Sequence, residues 1–192
     1  MSILRFIPNS LCVLRMLMLV PVVWLLVNQQ FAVTLWMFAF AAASDGLDGF
    51  LAKRFGWTSQ LGKVLDPLAD KILLVGVFAT LAFIGLVPMW LAVTAVARDL
   101  IITAGALSYY ALYGYPHGQP TVISKLNTLC QVVFLLVIIA ARALGENWDT
   151  AVTILGALVL LTTVVSGLDY VITWSHKAAH AARQRRAGSV PQ

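Results

Sequence analysis

"MLMLVPVVWLLVNQQFAVTLWMFAFAAAS", residues 16–44, runs 29 positions without a charged side chain. Crossing a bilayer takes roughly 20 apolar residues as a helix. Two more runs of this kind follow: 26 residues between Lys71 and Arg98, and 25 between Asp99 and Lys125. Residues 132–141 with their flanks, and residues 150–168, supply two further apolar segments. Across its 192 residues the chain is 60% hydrophobic and 11% charged, where a soluble domain carries about 25% charged residues. The expectation is an all-α, polytopic membrane protein.

Polar, Gly and Pro clusters divide the chain. "NQQ", "FGWTSQLG", "GLVP", "YGYPHGQP" and "LGENW" separate six expected transmembrane helices at about 11–28, 31–53, 67–86, 88–110, 124–143 and 149–174. A short amphipathic lead, "SILRFIP", is expected to lie at the interface as a short N-terminal interfacial helix. The first apolar segment is longer than a secretory leader's and lacks a small-residue cleavage pattern, so it reads as a retained span. One transmembrane domain is expected over 1–176, with a basic tail over 177–192. Cys12 and Cys130 lie inside apolar stretches and read as buried free thiols, with no disulfide or zinc framework.

Basic residues set the orientation. Arg5, Lys53, Arg54, Lys63 and Lys125 fall at the N-terminus and after the second and fourth helices; Lys177, Arg183, Arg185 and Arg186 fall in the tail; the opposite loops carry Arg142 alone. Both termini are therefore expected in the cytoplasm of a cell with the protein in its inner membrane. The positive-inside bias accounts for the net charge of +5, so no nucleic-acid partner is implied. The basic tail is expected to touch anionic headgroups of the lipid bilayer.

Acidic residues are distributed unevenly. Asp45, Asp48, Asp66 and Asp70 make up four of the eight, within 26 positions. Asp45 and Asp48 are three apart and Asp66 and Asp70 four apart, so on helices each pair shares a face. Carboxylates near a bilayer are costly and repel one another, so the cluster requires a positive partner. Lys53, Arg54, Lys63 and Lys71 could form an internal salt-bridge network. Short carboxylates converging from two helices also suit oxygen-liganded magnesium or manganese, and two such ions about 3.5–4 Å apart form a clamp for displacement at phosphorus. Gly46 and Gly49, with Ala52 one turn on, would allow close helix packing or ligand approach.

"DGLDGFLAK", eight residues, Gly62, then "KVLDPLAD" resembles the signature of the CDP-alcohol phosphotransferase family, with lysine at 53 where the family has arginine. The opening "IPNSLCVLRMLMLVP" and the six-helix plan are similar to family features as well. The resemblance implies a cytoplasm-facing cavity binding a CDP-activated lipid, with two magnesium or manganese ions held by Asp45, Asp48, Asp66 and Asp70. It also implies Asp70 as the base that takes the acceptor hydroxyl's proton. Nucleotide and pyrophosphate contacts fall by the same likeness on Gly49, Lys53, Ser59 and Gly62, with residues 8–11, including Asn9 and Ser10, closing over the ligand. Lysine at 53 keeps the charge but lacks arginine's bidentate fork. Arg15, alone in an apolar helix, either reaches the interface or touches the phosphates. A homodimer is a family-level expectation.

Two subfamilies compete: cardiolipin synthases of the eukaryotic type, which use phosphatidylglycerol, and phosphatidylglycerophosphate synthases, which use glycerol 3-phosphate. In the latter, "GKxKT" and a second arginine in the fourth helix are expected to hold a dianionic phosphomonoester. Here Arg98 is followed by "ITAGALSYY", and Lys125 by Asn127 where a second lysine would stand. The less basic set, Arg98, Lys125 and Asn127, favours phosphatidylglycerol as acceptor. Arg98 and Asp99 could equally form a mutual or cross-helix ion pair. Asp169, Tyr170 and Trp174 read as an interface anchor. A divalent-cation transporter would need acidic residues along a route to the far side, and the outer halves of the helices carry no charge.

Overall fold

The computed structural model describes residues 7–55, 62–113 and 121–187. They form six α-helices and, among the described residues, no strand: α1 Ile7–Val27, α2 Phe31–Phe55, α3 Gly62–Phe83, α4 Met89–Tyr113, α5 Val122–Leu144 and α6 Asp149–Ala187. The all-α expectation holds. The N-terminal lead before Ile7 lies outside the described residues.

Local chemistry sets the breaks. After α1, Gln29 turns left-handed at φ 57, and the Gln30 N–H returns to the Leu25 carbonyl at 2.9 Å. After α3, Gly85 takes φ 78 and the Leu86 N–H reaches the Leu81 carbonyl at 2.9 Å. Thr121 caps α5 by accepting from the Ser124 N–H, and Gly145, at φ 68, closes its other end. A glycine adopts this left-handed conformation without the steric cost a Cβ would add.

Three helices depart from the expected bounds by four residues or more, the first by starting at Ile7 rather than 11. The third begins at Gly62 rather than 67, so Asp66 and Asp70 both sit within helical backbone. The sixth continues to Ala187, through most of the segment expected as a tail. "KAAHAARQRRA" is rich in Ala and Arg, both good helix formers, and no Gly or Pro interrupts it before Gly188.

α1 packs on α2 and α3, α3 on α4, α2 and α6 on α5, and α4 on α6. The core is aromatic and aliphatic: Phe38, Phe78, Phe134, Leu81, Leu135 and Ile139 are fully buried, and the Phe78 and Phe134 rings stand 6.0 Å apart. The exterior is apolar as well. Trp36 is 77% exposed and Phe83 80%, while Arg98, Asp99, Asn127, Gln131 and Ser166 are buried. Large apolar side chains this exposed are unusual on a protein surrounded by water, and the buried charges are paired with each other. α5 and the 149–170 portion of α6 are long and apolar enough to cross a membrane; among the residues searched, the apolar parts of α1, α2 and α3 are shorter.

Candidate functional site

α2 carries Asp45 and Asp48 one turn apart, and α3 carries Asp66 and Asp70 one turn apart. Backbone phase therefore places each pair on one face of its helix. The donor set is all carboxylate oxygen, which fits a hard divalent cation such as Mg2+ or Mn2+. The side chains of these four residues, and of Asn9, Ser10, Gly49 and Lys53, lie outside the described set. Asn9 and Ser10 fall in the first turn of α1, Gly49 and Lys53 in α2, and Gly62 opens α3; Ser59 is outside the described residues altogether.

A second polar group is fully resolved. It lies among α3, α4, α5 and α6 and centres on Asp99, which is 2% exposed. Arg98 Nη1 donates to Asp99 Oδ1 at 2.7 Å, and Lys71 Nζ stands 3.0 Å from Asp99 Oδ2. Arg98 Nη2 donates to Ser124 Oγ on α5 at 3.0 Å and to Ser166 Oγ on α6. Lys71 Nζ also donates to Thr128 Oγ1 on α5 at 3.4 Å. The ion-pair reading of Arg98 and Asp99 is thus realised, both within α4 and across to α3. Lys71, counted among the cations available to the aspartate cluster, takes Asp99 as a partner. Arg98 Nε has no hydrogen-bond partner among the described residues, which leaves one guanidinium donor for an anion.

Asn127 sits one turn along α5 from Ser124 and is fully buried. Its Oδ1 accepts from Thr162 Oγ1 at 2.9 Å and Thr163 Oγ1 at 3.0 Å on α6, and its Nδ2 is unpartnered among the described residues. Gln131, one further turn on, is fully buried with both amide atoms in the same condition. Lys125 is exposed. The three residues expected at the acceptor therefore separate: Arg98 and Asn127 line the same α5–α6 seam, and Lys125 stands on the outer surface.

Of Asp169, Tyr170 and Trp174, expected as an anchor, Tyr170 reaches a neighbouring helix. The Tyr170 hydroxyl donates to the Ile102 carbonyl at 3.4 Å, and a Cβ at Gly105 would collide with it. Tyr170 thus packs against α4, and Asp169 has a buried Oδ2; the side chain of Trp174 lies outside the described residues. Sequence reasoning missed Ser124, Thr128, Ser166, Thr162 and Thr163. Their signal was faint: hydroxyls three or four apart in apolar helices, on faces turned to partners distant in sequence. An open concavity of about 770 Å3, lined by Asn147, Trp148, Asp149, Thr150 and Ala151, lies at the far end of α6. It is about 25 Å of helix from Ser166, remote from the Arg98 group.

Comparison with known proteins agrees with the signature. A CDP-alcohol phosphatidyltransferase family model matches residues 5–178. The chain is 32% identical over 183 residues to a Homo sapiens protein named cardiolipin synthase (CMP-forming), across 85% of this chain and 60% of that one. It is 32% identical over 170 residues to a probable phosphatidylglycerophosphate synthase of Mycobacterium tuberculosis, across 85% of this chain and 78% of that one. A chloroplastic CDP-diacylglycerol–glycerol-3-phosphate 3-phosphatidyltransferase of Oryza sativa subsp. japonica is 32% identical over 189 residues, across 87% and 56%. The chain spans about 60% of the length of its human and rat relatives. With the family match covering nearly the whole chain and the aspartates on two helices in the required phase, the chain belongs to the CDP-alcohol phosphatidyltransferase family.

Proposed function

We propose that this protein transfers the phosphatidyl group of CDP-diacylglycerol to phosphatidylglycerol, forming cardiolipin and releasing CMP. The reading of the reaction class is carried by one observation: four aspartates at one-turn spacing on α2 and α3, inside the segment matched by the family. Asp45, Asp48, Asp66 and Asp70 would hold two Mg2+ or Mn2+ ions. When bound, such ions supply electrostatic stabilisation to the pyrophosphate and the departing phosphate. The Asp70 carboxylate takes the proton of the acceptor hydroxyl. The acceptor oxygen bonds to the phosphorus next to the lipid, and the bond from that phosphorus to the CMP oxygen breaks. Asn9, Ser10, Gly49, Lys53, Ser59 and Gly62 orient the nucleotide.

Acceptor choice rests on Arg98 and Asn127. One guanidinium, partly neutralised by Asp99, beside a neutral amide suits a phosphodiester with one charge. Lys125 would meet the headgroup from the rim. A specific observation favours the second reading, glycerol 3-phosphate, since a relative named for phosphatidylglycerophosphate synthesis is as similar as the one named for cardiolipin synthesis. The reading includes six membrane-crossing helices, with the aspartates and both termini at the cytoplasmic face of the inner membrane; the apolar exterior and the basic-residue bias support it. At 39 residues, α6 is about 58 Å long, so its basic end continues beyond the bilayer.

Purified protein incubated with Mg2+, CDP-diacylglycerol and either acceptor tests the reading directly, with lipid products identified by mass spectrometry. Cardiolipin is expected from phosphatidylglycerol, and little product from glycerol 3-phosphate. A strong preference for glycerol 3-phosphate would overturn the acceptor; no CMP release with either would overturn the class.

A further inference from the structure

Lys71 follows Asp70 directly on α3, and its ammonium is held from two other helices, by Asp99 on α4 and Thr128 on α5. Asp99 is in turn fixed by Arg98, which is tied to Ser124 and Ser166. Successive residues step about 100° around a helix, so Lys71 lies about 100° from Asp70 and about 140° from Asp66. Rotating α3 would pull Lys71 from both partners. We infer that Asp99 is a positioning residue: acting through Lys71, it sets the rotational phase of α3 against α4 and α5, and with it the direction of the Asp66 and Asp70 face. This rests on the reading of those aspartates as metal ligands.

The alternative is that Lys71 and Asp99 only neutralise each other. The two accounts differ in sign. Lys71 carries a positive charge beside the aspartates, so on charge alone its removal strengthens cation binding. If it holds the helix in register, its removal weakens cation binding.

The test is binding of Mn2+ alone to the purified full-length chain, read from the electron paramagnetic resonance signal of the free ion. Lys71→Met is expected to weaken binding at least tenfold. Lys71→Arg, which keeps a cation for Asp99, should stay within about twofold of the unsubstituted protein. Equal or tighter binding by Lys71→Met overturns the inference. Should that variant not fold, Asp99→Asn decides, and unchanged Mn2+ affinity there overturns it. If Asp66→Ala leaves Mn2+ binding unaltered, the metal-ligand reading falls and this inference with it; a failure confined to the Lys71 and Asp99 variants leaves that reading intact.

Discussion

Two charged groups in this protein solve opposite electrostatic problems. The first, Asp45, Asp48, Asp66 and Asp70, is of one sign and comes from two helices adjacent in sequence. The second, Lys71, Arg98 and Asp99 with the hydroxyls of Ser124, Thr128 and Ser166, mixes signs and draws on four helices. In the mixed group two cations share one buried carboxylate at 2.7–3.0 Å, hydroxyls from α5 and α6 take further donors, and Arg98 Nε is left without a partner among the described residues. Four carboxylates need positive charge beside them, which the proposed reading supplies as divalent cations. On the proposed reading the single-sign group is the reactive centre, while the mixed group ties four helices together and also lends Arg98 to the acceptor.

The comparison breaks most visibly at Asp70. Asp70→Asn removes the proposed base and is expected to slow transfer by about 10²–10⁴-fold, while equilibrium binding of CDP-diacylglycerol changes little. Turnover at the unsubstituted rate would move the base elsewhere.

At the mixed group the expected loss is in stability. Asp99→Ala leaves two cations facing each other without their carboxylate, and breaking a buried ion pair from one side costs about 3–5 kcal/mol. Lys71→Ala should cost less, because Lys71 is 24% exposed and Asp99 keeps Arg98. Unfolding in mixed micelles measures both, and equal losses would deny Asp99 its central place.

The smallest expected effect sharpens the acceptor side. Asn127→Lys adds a cation to the seam that carries Arg98, and a charge-assisted contact to phosphate is worth roughly 1.5–3 kcal/mol. Use of glycerol 3-phosphate should rise about tenfold, which requires about 1.36 kcal/mol in the transition state. Steady-state kcat/KM with the two acceptors measures it. No change would mean that Asn127, held by Thr162 and Thr163, serves only helix packing.

Apolar runs and turn residues located six helices, though not where the third begins or the sixth ends. Their number and order follow from apolar runs and turn residues, because a long apolar segment must satisfy its backbone internally and a helix does so within itself. Asp45 with Asp48, and Asp66 with Asp70, were readable for a similar reason: a relation of three or four residues is fixed by helical pitch, whatever surrounds it. The oddity of Arg98 and Asp99 in an apolar run was visible too, though not their partners. Lys71 meets Asp99 from 28 positions away and Ser166 meets Arg98 from 68. No local periodicity encodes such meetings, which depend on how α3, α5 and α6 turn their faces to α4. The same limit hid Tyr170, whose contact with the Ile102 carbonyl needs the bare backbone of Gly105 on another helix. Pitch and solvent preference are short-range and act on the chain as it is written. Ion pairs and close packing between helices exist only once those helices have assembled.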